Sequence, residues 1–312
     1  RKFISGGRVN YIMSAKIAVL MGGPSSERDV SLNSGKAMFA ACASLGYNTI
    51  SVEFEDDILS HLDTLKHVDL VLIALHGGIG ENGRIQGMFE SLGIRYTGSD
   101  ALSSAICMDK HISKLLAEDV GIFTPRWKRI KKGKTINKLE YALPCVIKPN
   151  SEGSTIGLTI VYEESKFDSA VELAFSYDNE ILIEQFIDGK EITVSIVENE
   201  VLPIIEIKPS HDLYDYECKY TKGMTEYICP AELDENLTNM IHQTALEIYT
   251  LLKCRHYARV DFRLDNNNQY WFLEVNTLPG MTDTSLVPKA AAANGVKFEQ
   301  LIDSIIQQAL AN

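Results

Sequence analysis

The segment that decides the fold lies near the C-terminus and reads Ala258-Arg-Val-Asp-Phe-Arg-Leu264, then Asp265-Asn-Asn-Asn-Gln269, then Tyr270-Trp-Phe-Leu-Glu-Val-Asn276. Two runs of alternating character joined by a polar stretch are typical of a β-hairpin. Alternation places the apolar residues of the first strand on one face and leaves Arg259 and Asp261 on the other. A four-residue loop at residues 266–269 would place Asp261 opposite Glu274. The same register places Arg259 opposite Asn276.

Asp261, Glu274 and Asn276 form a set of oxygen donors suited to magnesium. Like charges placed directly opposite each other destabilise a hairpin unless a cation lies between them. Magnesium prefers oxygen ligands and keeps its other positions for water or phosphate. Phosphoryl transfer from ATP requires such a metal, because the metal neutralises the phosphates. The face therefore predicts a magnesium site, and the alternative from these residues alone is a solvated hairpin face.

The composition is that of an ordinary globular protein, with 312 residues, 45% of them hydrophobic and 23% charged. A net charge of −12 argues against a nucleic-acid partner, since phosphate backbones are bound by basic faces. The one basic run, residues 128–138, is expected to be a solvated loop. No apolar run approaches the length of a membrane-spanning helix, so we expect no membrane insertion.

The six cysteines show no CxxC spacing, which favours reduced thiols and a cytoplasmic location over a disulfide frame or zinc site. Residues 1–13 are interpreted as a candidate extension, with Met13 as a candidate initiator. The sequence leaves open whether residues 1–12 are native.

Apolar runs divide the chain into three predicted units, at residues 1–98, 99–184 and 185–312. The first alternates strands with a helix, which predicts a parallel α/β sheet. Ligands collect at the carboxyl ends of such strands, where the turns Gly22-Gly-Pro24 and His76-Gly-Gly78 lie. The predicted strands cover residues 16–21, 48–54, 68–75, 144–148, 181–186 and 191–197, and the predicted helices cover residues 29–45, 110–119 and 298–310.

A second phosphate-type segment follows the apolar strand that ends at Lys148. It reads Pro149-Asn-Ser-Glu-Gly-Ser-Thr-Ile-Gly157, and its small residues let backbone N–H groups approach a phosphate while Lys148 supplies a charge. It is not a Walker A loop, because the lysine precedes the glycines. The alternative is a flexible hairpin tip. Further along, Glu184 is placed to accept hydrogen bonds from adenine or ribose, with a solvent-facing acid as the alternative.

The order of these features resembles the ATP-grasp superfamily, in which ATP lies between two α+β lobes. That order runs through Met108-Asp-Lys110, Lys148 and its loop, Glu184, Glu191, Asp261 and Glu274-Val-Asn276. Further segments narrow the resemblance to the D-alanine–D-alanine ligase family: Gly22-Gly-Pro-Ser-Ser-Glu-Arg-Asp-Val-Ser-Leu32, Ala74-Leu-His-Gly77, Tyr214-Asp-Tyr-Glu-Cys-Lys-Tyr220 and Asn276-Thr-Leu-Pro-Gly-Met281. The resemblance spans about residues 16–310, and the joint order of these motifs is specific.

The resemblance implies that ATP phosphorylates the carboxylate of one D-alanine, and that the amine of a second D-alanine then displaces phosphate to give the dipeptide of peptidoglycan. It implies ATP binding by Lys110, Lys148, Ser154, Glu184, Gln185, Glu191 and Lys219. It implies that two magnesium ions, with manganese as a substitute, are held by Asp261, Glu274 and Asn276. It implies binding of both D-alanines by Glu27, His76, Arg259, Gly280, Ser285 and Leu286. A homodimer is expected on the same ground.

The catalytic set implied by the resemblance is Glu27, Ser154, Tyr220, Arg259 and Gly280. Arg259 and the N–H of Gly280 would stabilise the oxyanion, and Glu27 would pair with the first ammonium group. Residues 208–223 would form a lid that excludes water.

Alternatives remain open for three residues: His76 as a turn histidine, Lys110 as a helix-end lysine and Ser285 as an N-cap. Gln185 departs from the lysine that many relatives carry, whereas Tyr220 agrees with dipeptide-forming relatives. The rival functions are another ATP-grasp ligase and a non-catalytic ATP-binding protein.

Overall fold

The structure is a computed structural model that describes residues 15–209 and 223–311. Three β-sheets occur within these ranges, one in each predicted unit. The predicted lid, with Lys219 and Tyr220, lies mostly outside the described residues, as does the candidate extension. No helix in the described ranges is long and apolar enough to cross a membrane.

The N-terminal unit is a parallel sheet with flanking helices, as the strand and helix patterns predict. Its elements are β1 (Lys16–Gly22), α1 (Arg28–Ser44), β2 (Asn48–Phe54), α2 (Leu62–Lys66), β3 (Leu70–Ile73) and α3 (Arg84–Leu92). The strand order is β2-β1-β3, with both pairings parallel. Strand β3 is shorter than the predicted span of residues 68–75, because only residues 70–73 pair with β1.

The central unit is an antiparallel sheet with the strand order β4-β7-β5-β6. Its elements are α4 (Ala101–Met108), α5 (Lys110–Asp119), β4 (Trp127–Lys131), β5 (Cys145–Pro149), β6 (Thr159–Val161), α6 (Phe167–Tyr177) and β7 (Glu180–Gln185). The prediction that residues 128–138 form a loop is wrong for their first part. Residues 127–131 form an edge strand, with Ile130 buried and lysines on the solvent side, where charges discourage edge-to-edge pairing.

The C-terminal unit contains a sheet in which β11, β10, β8, β12 and β13 are neighbours in that order. Its elements are β8 (Gly189–Val197), β9 (Glu200–Val201), β10 (Ile205–Pro209), β11 (Thr225–Ile228), α7 (Glu235–Leu251), β12 (Tyr257–Asp265), β13 (Tyr270–Asn276), α8 (Leu286–Ala293) and α9 (Phe298–Ala311). Strand β12 lies between β8 and β13, and β13 is the last strand in this order, so the predicted metal face lies on the last two strands of the sheet.

Away from the loop the hairpin has the predicted register, although the loop length that was expected to set this register is different. Asp261 pairs with Glu274 and Arg259 with Asn276. The loop is one residue shorter than predicted, since the Asp265 N–H donates to the Gln269 carbonyl at 2.9 Å and the Gln269 N–H donates to the Asp265 side chain at 3.0 Å. A β-bulge next to Asp261 adds the missing residue. The shorter loop and the bulge cancel each other, so the predicted pairs are kept. Asn268 adopts the left-handed conformation (φ 61°) typical of such short loops.

Helices cross the predicted unit boundaries. The last two, α8 and α9, pack into the core of the N-terminal sheet, with Val287 and Ile305 fully buried there. In the other direction, Cys107 of α4 and Ala117 of α5 belong to the core beneath β8 and β12. The three units therefore pack against one another through these helices.

The packing of α1 on β1 depends on Gly35. A Cβ at this position would lie 2.6 Å from the Cβ of Met21, which is too close for two carbon atoms. We expect Gly35→Ala to lower the free energy of unfolding by about 1–3 kcal/mol through overpacking, as measured by urea denaturation. The control is Gly87→Ala in α3, where the nearest atom lies at 3.7 Å. Alanine there should be neutral or stabilise by about 0.5–1 kcal/mol, and equal losses in both variants would contradict the packing argument.

Candidate active site

Two cavities meet where the three units converge. Cavity A has a volume of about 280 Å³ and lies between the N-terminal unit and the start of α8. Cavity B has a volume of about 110 Å³ and lies between β5 and β13. Gly153, Arg259 and Glu274 line both. The two cavities therefore adjoin at these three residues.

Glu27 forms the N-terminal wall of cavity A. It lies between the Gly-rich turn after β1 and the first residue of α1, and its side chain is buried. The hydroxyl of Ser154 donates a hydrogen bond to its carboxylate, which links the loop after β5 to the N-terminal unit. A side chain at Gly77 (φ 69°) would begin 2.7 Å from Glu27 Oε2, so only glycine lets the two turns approach this closely.

His76 also lines cavity A, but both of its ring nitrogens face protein groups. Nε2 lies 3.1 Å from Ser34 Oγ, and Nδ1 lies 3.6 Å from Glu81 Oε1. Burial raises the pKa of the Glu81 carboxyl, and His76 partly offsets this effect. These contacts favour the alternative that His76 is a turn histidine that shapes the cavity.

Two cations separate the carboxylates of the metal face. The Arg259 guanidinium binds Asp261 through two parallel hydrogen bonds of 2.9 and 2.8 Å. Lys110 Nζ lies 3.0 Å from Glu274 Oε2 and donates to the carbonyl of Glu152 at 2.6 Å. Each acid thus has its own cation, which is how the hairpin tolerates two like charges opposite each other. Lys110 therefore not only begins α5 but also pairs with an acid of the metal face.

The metal face fits magnesium only if phosphate oxygens complete the coordination. Within residues 15–209 and 223–311, no group of three His, Cys, Asp or Glu side chains could hold a metal ion. Asp261 and Glu274 supply two carboxylates and Asn276 an amide, whose oxygen accepts from the Leu278 N–H at 3.2 Å. A set of only three side-chain ligands suits magnesium, because magnesium retains water or phosphate in most of its coordination positions.

Cavity B has the features of a phosphate site. Lys110 and Lys148 both line it, as does Glu191. Next to them, Ser154 (φ 50°) and Thr155 (φ 63°) are consecutive residues in the left-handed region, a turn conformation that presents neighbouring N–H groups to an anion. This geometry favours the phosphate interpretation of the loop over a plain hairpin tip.

Glu184 lies beneath cavity B and is buried. Its two oxygens lie 2.5 Å from Lys114 Nζ and 2.5 Å from Lys148 Nζ. Burial alone would raise the pKa of this carboxyl, but the two lysines outweigh burial and hold the pKa below its usual value. The geometry supports neither a solvent-facing acid nor a direct contact between this carboxylate and adenosine, because both oxygens already face ammonium groups.

Gln185 is exposed and lies beside a separate cavity of about 600 Å³. Its N–H donates to the carbonyl of Arg126 at 2.8 Å. The walls of that cavity include the side chains of Trp127 and Tyr141, so Gln185 does not join the lysines of cavity B.

The sequence reasoning missed Lys114. It is fully buried, and burial lowers the pKa of its ammonium group to about 8 even though Glu184 opposes the shift. The available signal was its spacing of four residues from Lys110, which puts both lysines on one face of α5.

The opposite wall of cavity A is the start of α8. Ser285 directly precedes this helix, yet its side chain does not cap it. Instead its hydroxyl accepts a hydrogen bond from the Thr282 N–H at 3.0 Å. With Leu286, it places the N-terminus of α8 at the cavity, a site that favours a carboxylate. A Cβ at Gly280 would lie 2.8 Å from Ser285 Oγ, so the loop has no room for a side chain there.

Comparison with known proteins agrees with this geometry. A family profile described as "D-ala D-ala ligase C-terminus" matches residues 116–307, and one described as "D-ala D-ala ligase N-terminus" matches residues 51–99. The chain belongs to the D-alanine–D-alanine ligase family. Its fold is the ATP-grasp fold with an N-terminal parallel α/β domain, as the resemblance predicted.

Relatives in this family match over nearly their whole length. A D-alanine–D-alanine ligase of Geotalea uraniireducens is 43% identical over 303 residues, covering 96% of this chain and 97% of the relative. A crystal structure of D-alanine–D-alanine ligase from Bacillus anthracis complexed with ATP has a TM-score of 0.85 at 39% identity, covering 96% of this chain and 98% of that chain. The VanG D-Ala:D-Ser ligase of Enterococcus faecalis has a TM-score of 0.82 at 31% identity, covering 95% and 99%.

The charge pairing of the ligase hairpin predicts how its stability responds to loss of one acid. Glu274→Gln leaves the largely buried Lys110 without its anionic partner. We expect the free energy of unfolding to fall by about 1–2 kcal/mol, in urea denaturation without metal or nucleotide. The control is Glu140→Gln, which breaks the exposed pair with Lys128 and should cost much less, because solvent screens an exposed pair. If Glu274→Gln is instead stabilising, repulsion between the acids outweighs the pairing seen here.

Proposed function

We propose that this chain joins two D-alanines into D-alanyl-D-alanine, with ATP converted to ADP and phosphate, for peptidoglycan precursor synthesis. One observation carries the proposal: a cavity suited to phosphates and a cavity suited to an amino acid share the wall formed by Gly153, Arg259 and Glu274. In this proposal the γ-phosphoryl group passes across that wall to the carboxylate of the first D-alanine, giving an acyl phosphate.

The first D-alanine would bind between Glu27 and Arg259. Glu27 is buried and acidic and therefore suits the ammonium group of the substrate. Arg259 and Gly280 also line cavity A. They would stabilise the negative oxygen that develops when the acyl phosphate is attacked, the interaction that usually dominates such reactions.

The second D-alanine would place its carboxylate at Ser285 and the N-terminus of α8. Its neutral amine attacks the acyl carbon, the C–O bond to phosphate breaks, and the nitrogen loses a proton as the peptide bond forms. Tyr220 and the lid lie outside the described residues, and their proposed role in closing this site rests on the family resemblance.

Two magnesium ions, with manganese as a substitute, would neutralise the phosphates when bound at Asp261, Glu274 and Asn276. Lys110 and Lys148 would contact phosphate oxygens alongside them, as would Lys219 by resemblance. Glu191, which lines cavity B, is the acid placed to contact the ribose. The homodimer and the cytoplasmic location also remain proposals that rest on the resemblance.

The choice of amino acid tests the reaction. Purified protein with ATP and magnesium should release phosphate when D-alanine is added, and mass spectrometry should find the dipeptide. L-alanine should give no stimulation. D-serine and D-lactate belong in the same panel, because a related structure is a D-Ala:D-Ser ligase. A preference for another amine would favour a different ATP-grasp ligase, and nucleotide binding without phosphate release would favour the non-catalytic alternative.

Glu27 and Asp29 offer a matched pair of acids on the rim of cavity A. Glu27→Gln removes the charge that would bind the substrate ammonium group, at a cost of about 1.5–3 kcal/mol. We expect kcat/KM for D-alanine to fall roughly ten- to a hundredfold, with KM for ATP changed less than about threefold. Asp29 is an exposed acid on the same cavity, and Asp29→Asn should change neither kcat/KM for D-alanine nor KM for ATP. Equal effects of the two substitutions would remove Glu27 from the substrate site.

A further inference from the structure

Lys114 is a buried cation that the proposed reaction leaves unused. It is fully buried in α5, and it lines neither cavity A nor cavity B. Its ammonium group is therefore not part of either cavity wall. Its ammonium group instead lies 2.5 Å from one oxygen of Glu184, whose other oxygen lies 2.5 Å from Lys148.

We propose that Lys114 is a positioning residue for ATP, holding Glu184 so that Lys148 keeps its location and a net positive charge for the phosphates. This inference rests on the proposed function in one respect, the assignment of phosphates to Lys148. It adds a residue that acts through two others and that no substrate touches.

The balance of charge supports the proposal. Among the described residues, the two ammonium groups are the polar partners of Glu184, since neither oxygen accepts a hydrogen bond from any other group. Two lysines around one carboxylate leave a net charge of +1 beneath cavity B. Without Lys114, Glu184 and Lys148 would form a neutral pair, and the phosphates would meet less positive charge beneath cavity B.

Further contacts fix the position of the Lys114 side chain in the core. Its Nζ donates to the hydroxyl of Thr124 at 2.6 Å, and that hydroxyl donates to the carbonyl of Phe272 at 2.9 Å. Phe272 precedes Glu274 by two residues on β13. The ammonium group also lies 5.5 Å from the centre of the Trp127 ring, within the range of a cation–π contact. Lys114 is thus fixed relative to the metal hairpin while it holds Glu184.

Helix α5 therefore connects two parts of the nucleotide site. Lys110 pairs with Glu274 on β13, and Lys114, one turn later, pairs with Glu184 on β7. The first lysine lies in cavity B and is placed to touch phosphate, whereas the second lies behind it. This arrangement sets the distance between the metal face and Lys148.

The test compares Lys114→Met with the parent protein. Methionine keeps most of the apolar volume and removes the charge. We expect KM for ATP to rise about tenfold or more, with kcat changed less than about threefold and KM for D-alanine unchanged. A merely structural lysine would alter both KM values together or neither, and that result would overturn the proposal.

A double-mutant cycle shows whether Lys114 acts through Glu184. In the Glu184→Gln background no carboxylate remains to be held, so Lys114→Met should weaken ADP binding by a clearly smaller factor than it does in the parent protein. The double variant removes both charges of this pair, so it is expected to fold even if Lys114→Met does not. Additive effects of the two substitutions would overturn the proposal.

ADP binding is measured by calorimetry without D-alanine, so the cycle remains informative whatever the enzyme joins. Thr124→Val is the packing control, because it removes the hydroxyl that contacts both Lys114 and Phe272 but keeps the Lys114–Glu184 pair. It should weaken ADP binding less than about twofold. A loss equal to that of Lys114→Met would assign the effect to packing and reject the charge argument. Absence of phosphate release with D-alanine in the parent protein would reject the proposed function separately.

Discussion

The active site depends on the pairing of acids with cations at the junction of the three units. Asp261, Glu274 and Glu184 face one small region, and each has a lysine or arginine within 3.0 Å. Unpaired, these acids would repel one another and destabilise the sheets that carry them. Paired, they hold positive groups in and beneath the wall of cavity B. In the proposed reaction, nucleotide and metal would replace one set of ionic contacts with another at a charged surface that is already organised.

This pairing requires elements distant in the chain to meet, and the helices bring them together. Helix α5 follows the N-terminal unit in sequence but packs on the core beneath β12, which delivers Lys110 to Glu274. Helix α8 follows β13 but packs on the N-terminal core, which delivers Ser285 to the cavity that contains Glu27. A sheet alone could not do this, because its strands point their side chains up or down and not across a gap between units.

Sequence reasoning succeeded where the decisive pattern was local. The opposition of Asp261 and Glu274 follows from alternation, and it survived an error of one residue in the loop because a bulge compensates. Glu184 shows the limit: its strand was located correctly, but its partners come from α5 and β5, and no local pattern encodes that burial. Lys114 was missed for the same reason, since a lysine in a polar helix looks like a surface residue until the neighbouring sheet is in place. Helix α9 was assigned to the C-terminal unit but packs on the N-terminal core, and this placement likewise depends on contacts between units.

The hydrogen bond from Ser154 to Glu27 gives these separate observations a common consequence. It ties the loop after β5 to the acid that would receive the first ammonium group, so the position of this loop and the shape of the amino-acid site depend on each other. An acyl phosphate is lost to hydrolysis unless water is kept out of the site. In the proposed reaction, a loop held against the substrate-binding acid would help to exclude water where the acyl phosphate forms. Ser154 would then link the binding of the amino acid to the protection of the intermediate made from it.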